Sequence, residues 1–386
     1  MKEFLKKYFL GDHVIWAVIT GLTLISIMVV FSASGSLVHR YHEGNTTFYL
    51  FRHLKFIALG LVLLYFTHRL PYKWFAKFAK PLLLIAIPLL LITLIFGESI
   101  NAASRWLTVP GLGVAFQTSD FAKLALIIFV AKLLANNQKS EKGINLAFRH
   151  IAIATAIVCG LILPANLSTA ALLFITIFFM MFIGRIPFKN LAFTVGVLLA
   201  IFSFYVVVSL VLPGESRVET WKNRIESFMD EEGSDNFQAE QSKIAIVTGG
   251  IFGKGPGLST QRNHLPHPYS DFIYAIIIEE YGTIGGILVM FFYFVLLFRT
   301  VRIVNKCDRF FPAFLSIGLA ISLVLQAVVN MAVAVNIIPV TGQPLPLISM
   351  GGTSMIFTCI SLGIILSVSR SIELEKAKMK VAAVNS

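Results

Sequence analysis

The sequence predicts an all-α polytopic membrane protein of about ten transmembrane helices, with one large outer loop between the seventh and eighth. Three observations carry this expectation. Of 386 residues, 56% are hydrophobic and 13% charged, about half the charged share of a soluble protein. Mean hydropathy is +0.80. Apolar runs of roughly 20 residues, the length that crosses a ~30 Å hydrocarbon core as a helix, recur along the whole chain. Water-soluble domains, disorder and a disulfide-stapled secreted fold are excluded. Cys159, Cys307 and Cys359 are scattered, without a CxxC pair for a disulfide framework or a metal knuckle.

The expected spans are 14–33, 54–68, 79–96, 119–136, 146–163, 167–184, 191–212, 272–298, 312–333 and 350–369. Most show neither strand alternation nor a polar stripe, as expected of helices that face lipid or one another. The fifth and sixth meet in a tight hairpin at Pro164. The first follows Lys2, Lys6 and Lys7 and ends in Ser32-Ala33-Ser34, which imitates a cleavage site. Its length and the nine spans after it favour a retained helix. With the N-terminus inside, cytoplasmic segments carry 21 of the 32 Lys and Arg, whereas the short outer loops carry four: Arg40, Arg52, Lys55 and Arg105. Both termini are therefore expected in the cytoplasm, around a single transmembrane domain, 1–386. The net charge of +12 reads as a topological anchor rather than a nucleic-acid footprint.

The outer loop, 213–270, is long enough to be functional. Trp221, Ile225 and Phe228 fall at i, i+4, i+7, with Arg217, Lys222 and Arg224 elsewhere around the helix. Such a helix either lies flat on the outer leaflet or packs on the bundle top. Thr248 to Gly257 places five glycines beside Lys254. The Walker spacing fails, leaving a flexible turn as the simpler reading and a backbone approach to phosphate as the other. In His264-Leu-Pro-His267-Pro-Tyr-Ser270-Asp271 the prolines make the histidine spacing unlike a helical metal site. Asp271 stands where the eighth span begins, so the local pattern favours an N-cap; Ser270 in that role would free the carboxylate.

Charges inside spans cost ~2.5–3.5 kcal/mol each on insertion scales, so Lys123, Glu279 and Glu280 need partners or a purpose. An i,i+3 pair of Lys123 with Asp120 contributes only ~0.2–0.5 kcal/mol, so a cavity or a second partner is expected. Helical phase puts Ala275, Ile278 and Gly282 on the face of Asp271, Glu279 about 80° round and Glu280 opposite, so the two glutamates cannot both share the cleft of Asp271. Pro339, Pro344 and Pro346 break the last outer loop before Ser349, Gly351, Gly352 and Thr353 open the tenth span. That arrangement is either an anion-binding helix N-terminus or a capped re-entrant turn. The sum is an outward polar cleft with a carboxylate, cations and a helix N-terminus. It suits an anionic lipid-linked substrate, and it would also suit a transporter.

Leu265-Pro266-His267-Pro268-Tyr269-Ser270-Asp271-Phe272-Ile273-Tyr274, continuing to Glu279-Glu280-Tyr281-Gly282, resembles the LPEAHTDFIF…EELG signature of the SEDS (shape, elongation, division and sporulation) family. Supporting matches run in order along the chain: Asn101 to Leu107 resembles ARRWL, Phe116 to Lys123 resembles FQPSExxK, Gln241 to Gln261 resembles QSxxAIGSGGxxGKGxGxSxQ, and Pro339 to Ser354 resembles LPVTGxPLPLISYGGSS. The Gly253 to Ser259 stretch is closer to division-type than to elongation-type members. Departures are Thr118 for Pro, Asp120 for Glu, His267 for Glu, Tyr269 for His and Met350 for Tyr; the family's PDxGT survives only as Pro164-Ala-Asn166-Leu-Ser168-Thr169.

The resemblance implies an inverting peptidoglycan glycosyltransferase of the bacterial inner membrane, acting at the division septum. It would polymerise lipid II with a class B penicillin-binding protein and other divisome membrane proteins. Asp271 would be the general base, and Arg105, Lys123, Lys254, Glu279, Ser349, Gly351, Gly352 and Thr353 the substrate-side residues. A divalent cation, Mg or Mn, shared by pyrophosphate and carboxylate would suit such a site, though the sequence specifies none. A lipid II flippase or other transporter, a non-catalytic division scaffold, and an elongation-type rather than division-type role are the competing readings.

Overall fold

The computed structural model describes residues 9–41, 46–100, 103–108, 115–138, 140–211, 221–222, 224, 226, 228–229, 237–265 and 268–384. All ten expected spans are helices. They are α1 His13–Tyr41, α2 Thr46–Arg69, α3 Tyr72–Phe96, α4 Thr118–Asn136, α5 Glu141–Ile162, α6 Leu167–Ile183, α7 Phe188–Val211, α9 Ile273–Val304, α10 Phe310–Ala334 and α11 Thr353–Val384, with α8, Phe237–Gly249, preceding α9. Eight of the ten are long and apolar enough to cross a membrane by themselves. Of the others, α6 has 17 residues and α4 carries Asp120, Lys123 and Lys132. Both pack inside the bundle, where neighbouring helices replace lipid. Helix α1 runs unbroken through Ser32-Ala33-Ser34, which is buried.

The centre of the bundle is α10 and α11, whose apolar windows are 72% and 67% buried, against 11% for the peripheral α7. The most extensive pairing is α2 on α11. Small residues allow it: Gly60 faces the Cys359 side chain and Gly363 lies on Leu64 and Thr67, with no room for a Cβ at either glycine. The two ends of the described chain meet. Arg299 of α9 holds Asp12 through Nε and Nη2 (3.0 and 2.6 Å), and the Gly11 N–H donates to Glu373 of α11 at 2.9 Å.

One departure from an all-helical chain is a three-stranded antiparallel sheet in the loop after α3, with β1 Glu98–Ile100, β2 Ala103–Thr108 and β3 Ala115–Gln117. Strands of three to six residues are too short to show alternation in the sequence.

The glycine-rich stretch is not a flexible turn. Gly282 (φ 71°, ψ −177°) breaks α9, which strands the Glu279 and Glu280 carbonyls and the Thr283 and Ile284 N–H groups that would have bonded one another. The loop after α8 takes up all four. Lys254 and Gly255 donate to the two carbonyls at 2.9 and 3.0 Å, while Thr283 and Ile284 donate to the Gly250 and Ile251 carbonyls at 2.9 and 3.4 Å. A Cβ on Gly253 would strike the Glu280 carbonyl and one on Gly282 the Ile251 carbonyl, and both glycines have positive φ.

Gly253→Ala and Gly282→Ala combine a backbone clash with strained φ, and each should therefore cost about 3 kcal/mol or more. Thermal unfolding of the purified protein in detergent should show a lowered midpoint. A parental midpoint for both would mean the loop does not dock as described.

Candidate functional site

Asp271 does not cap α9. The N-cap position is Phe272, without a side-chain bond to the helix, and Asp271 lies in the preceding turn, half-buried. A cap was the locally favoured reading, but contacts far away in sequence hold this turn. Asn330 Nδ2 donates to the Asp271 carbonyl at 2.9 Å, Ser349 Oγ donates to the Ser270 carbonyl at 2.6 Å, and the Met350 N–H donates to the Tyr269 carbonyl at 3.0 Å. Ser270 Oγ donates to the carboxylate itself at 3.0 Å. A Cβ on Gly342 would lie 3.7 Å from Asp271 Oδ2, so the proline-rich segment lies beside the carboxylate.

That segment, 338–352, is non-helical inside the bundle, and its polar backbone groups find partners on several helices. Asn330 donates to the Gln343 carbonyl (2.8 Å), Gln326 to that of Pro344 (2.9 Å), Tyr293 to that of Pro346, and Ser26 to that of Ile348 (2.8 Å). Ser349 Oγ also accepts from the Leu345 N–H at 2.8 Å, and Thr353 Oγ1 accepts from the Gln117 N–H at 3.2 Å. Gly351 and Gly352 sit between these two anchors, Gly352 with φ +55°. Ser349 and Thr353 therefore tie the segment to the Asp271 turn and to β3.

Lys123 has the second partner that its burial demands. Its Nζ lies 3.2 Å from Asp120 Oδ1 and 3.0 Å from Gln326 Oε1. A small polar pocket adjoins them, lined also by Ser322, Ser354, Thr358 and Ser361, with a volume of about 20 Å³. That is room for one water, and Asp120 Oδ2, buried without a partner among the described residues, is a group such a water would satisfy.

Glu279 and Lys254 are brought together. Lys254 Nζ sits 2.6 Å from Glu279 Oε1, and the carboxylate also accepts from Ser259 and from the Thr260 hydroxyl and N–H, at 2.9 and 3.0 Å. Glu279 is fully buried. Glu280 faces the same loop: the Gly257 and Ser259 N–H groups lie beside its carboxylate, Ser32 of α1 donates to it and Arg262 reaches the Ser32 hydroxyl at 3.1 Å.

Arg105 lies on β2, with its side chain outside the described residues, as are Arg217, Ile225 and His267. Trp221 stacks on Phe202 (6.0 Å, 21°) and contacts Tyr205 (5.6 Å), so its ring packs against α7. Arg224, three residues on, is exposed and donates to the Val340 carbonyl of the proline-broken segment at 3.1 Å. The larger apolar groove between α5, α6 and α7, about 390 Å³, contains none of these residues. Among the described residues, no three of His, Cys, Asp and Glu cluster as metal ligands.

A family model described as cell cycle protein, for FtsW, RodA and SpoVE, matches residues 12–374. The chain belongs to this family. It is 33% identical to a probable peptidoglycan glycosyltransferase FtsW of Trichlorobacter lovleyi over 97% of this chain and 98% of the relative. Among solved structures, it resembles a chain from work on "Structural coordination of polymerization and crosslinking by a peptidoglycan synthase complex" (TM-score 0.71, 25% identity, 94% and 98% covered). It also resembles the rod shape determining protein RodA of Thermus thermophilus (TM-score 0.66, 25% identity, 93% and 97% covered).

Within this FtsW/RodA/SpoVE member, the sequence reading missed Gln326 and Asn330. Both are buried, at 4% and 1% exposure, inside the ninth expected span, 312–333. Two amide side chains at i, i+4 within such a span were the available signal.

Lys254→Met should destabilise the fold by about 3 kcal/mol, since it leaves a buried carboxylate without its cation. Adding Glu279→Gln should recover part of the loss, because the two changes are coupled. Thermal unfolding of the two single variants and the double variant checks this. Strictly additive losses would show that the pair is not a unit.

Proposed function

We propose that this family member is an inverting peptidoglycan glycosyltransferase that polymerises lipid II at the outer face of the bacterial cytoplasmic membrane during division. Asp271 takes the proton of the acceptor GlcNAc 4-hydroxyl. The freed oxygen attacks MurNAc C1 of the donor from the face opposite the leaving group. The bond from C1 to the pyrophosphate oxygen breaks, and undecaprenyl pyrophosphate departs. The observation that carries this reading is the half-buried Asp271 carboxylate, set in a turn clamped by Ser349 and Asn330, beside a proline-broken segment whose Val340 carbonyl accepts from Arg224. A base must be held within hydrogen-bond reach of the hydroxyl it deprotonates, and a clamped turn provides that.

The leaving diphosphate needs cations. Exposed Arg224 is placed for it. Lys123 serves to the extent that the diphosphate competes with Asp120 for its ammonium, whereas Lys254 is committed to Glu279. The Asp271 carboxylate is a hard oxygen ligand of the kind that would hold a Mg or Mn ion. When bound, that ion would neutralise charge on the leaving group.

Similarity to a probable peptidoglycan glycosyltransferase FtsW supports the reaction and the division role, and the likeness to a chain of a peptidoglycan synthase complex supports a class B penicillin-binding protein as partner. The excess of Lys and Arg on one set of loops supports cytoplasmic termini.

The test is polymerisation of labelled lipid II by the purified chain with its partner. Loss of the base should reduce glycan synthesis by Asp271→Ala by at least about 100-fold, with expression and partner binding retained. Normal polymer from Asp271→Ala would overturn the assignment, and lipid movement across vesicles without polymer would favour a flippase.

A further inference from the structure

Gln326 and Asn330 lie one turn apart on α10 and connect three separate parts of the site. Gln326 Oε1 accepts from Lys123 Nζ at 3.0 Å, while its Nε2 donates to the Pro344 carbonyl at 2.9 Å. Asn330 Nδ2 donates to both the Gln343 carbonyl (2.8 Å) and the Asp271 carbonyl (2.9 Å). A continuous path therefore runs from the Lys123 ammonium through Gln326, the 343–344 backbone and Asn330 to the backbone of Asp271. We infer that Gln326 and Asn330 are positioning residues that fix the separation between Asp271 and Lys123, and so between the atom that accepts a proton and a cation that meets the diphosphate. The inference rests on the general-base reading of Asp271.

A purely structural account would have the two amides satisfy carbonyls that a proline-broken segment leaves without helical partners. Three details go beyond it. Asn330 Oδ1 is buried without a partner among the described residues, a cost incurred while both donors of the same amide are in use. The acceptor of Gln326 is used on Lys123 and not on the segment. Gln343 also bonds elsewhere, Nε2 to Thr169 Oγ1 at 2.9 Å, so the segment has an anchor that reaches neither Lys123 nor Asp271. That anchor supplies an internal control.

Gln326→Glu and Asn330→Asp preserve volume. The first keeps an oxygen for Lys123 and loses the donor to Pro344; the second loses the donor shared between two carbonyls. Each variant, full-length and with its partner in lipid vesicles, is assayed on labelled lipid II for kcat and KM per mole of folded protein, alongside Thr169→Val and Asp271→Ala. A misplacement of reacting groups acts on kcat, so each α10 variant should lose at least about tenfold in kcat, with KM within about twofold of parent. Thr169→Val, which frees the Gln343 side chain and leaves every hydrogen bond of the path in place, should keep kcat within about twofold. Parental kcat in both α10 variants overturns the inference, as does an equal loss in Thr169→Val or a rise in KM at unchanged kcat. If Asp271→Ala is inactive while the α10 variants are parental, only the positioning role fails. If Asp271→Ala is itself active, the general-base reading fails with it.

Discussion

Inside a hydrocarbon layer no water is at hand for a stray peptide group, so each departure from helix must find its hydrogen bonds within the protein. Most of what is distinctive in this molecule follows from that constraint. At Gly282 the ladder of α9 loses two rungs, and the glycine-rich loop supplies both, N–H for N–H and carbonyl for carbonyl. In the proline-broken segment before α11 the partners are side chains instead: Ser26, Tyr293, Gln326 and Asn330 reach in from α1, α9 and α10. The turn that carries Asp271 belongs to the same set, since Asn330 and Ser349 hold its carbonyls.

Charge obeys a parallel rule. Lys123 faces Asp120, Lys254 faces Glu279, and Arg299 faces Asp12, so each of these three cations is matched in the fold. A cation that is to receive a diphosphate must either exchange its partner or stand at the surface. Lys123 lies against Asp120 and Gln326 inside the bundle, whereas Arg224 is exposed.

The spans were legible because length and apolarity alone specify a membrane helix, and each of the ten appears where the composition placed it. The need of Lys123 for a second partner followed from its insertion cost, and Gln326 meets it. Non-local geometry was not legible. The cap favoured for Asp271 was a judgement from neighbouring residues, overridden by Asn330 and Ser349, which lie 59 and 79 positions away from their partners. Lys254 and Glu279 are 25 residues apart, and only the break at Gly282, which nothing local demanded, brings the loop against α9. The three short strands after α3 lacked the length to register as a pattern.

The contact between Gly253 and Gly282 joins main chain to main chain, with no side chain between them to absorb change. A core of leucines can drift through evolution, one residue shrinking as its neighbour grows. Here neither partner has an atom to give up, so no second substitution restores what the first removes. This junction should be among the slowest parts of the molecule to diverge, for geometric reasons independent of any chemistry performed at Asp271.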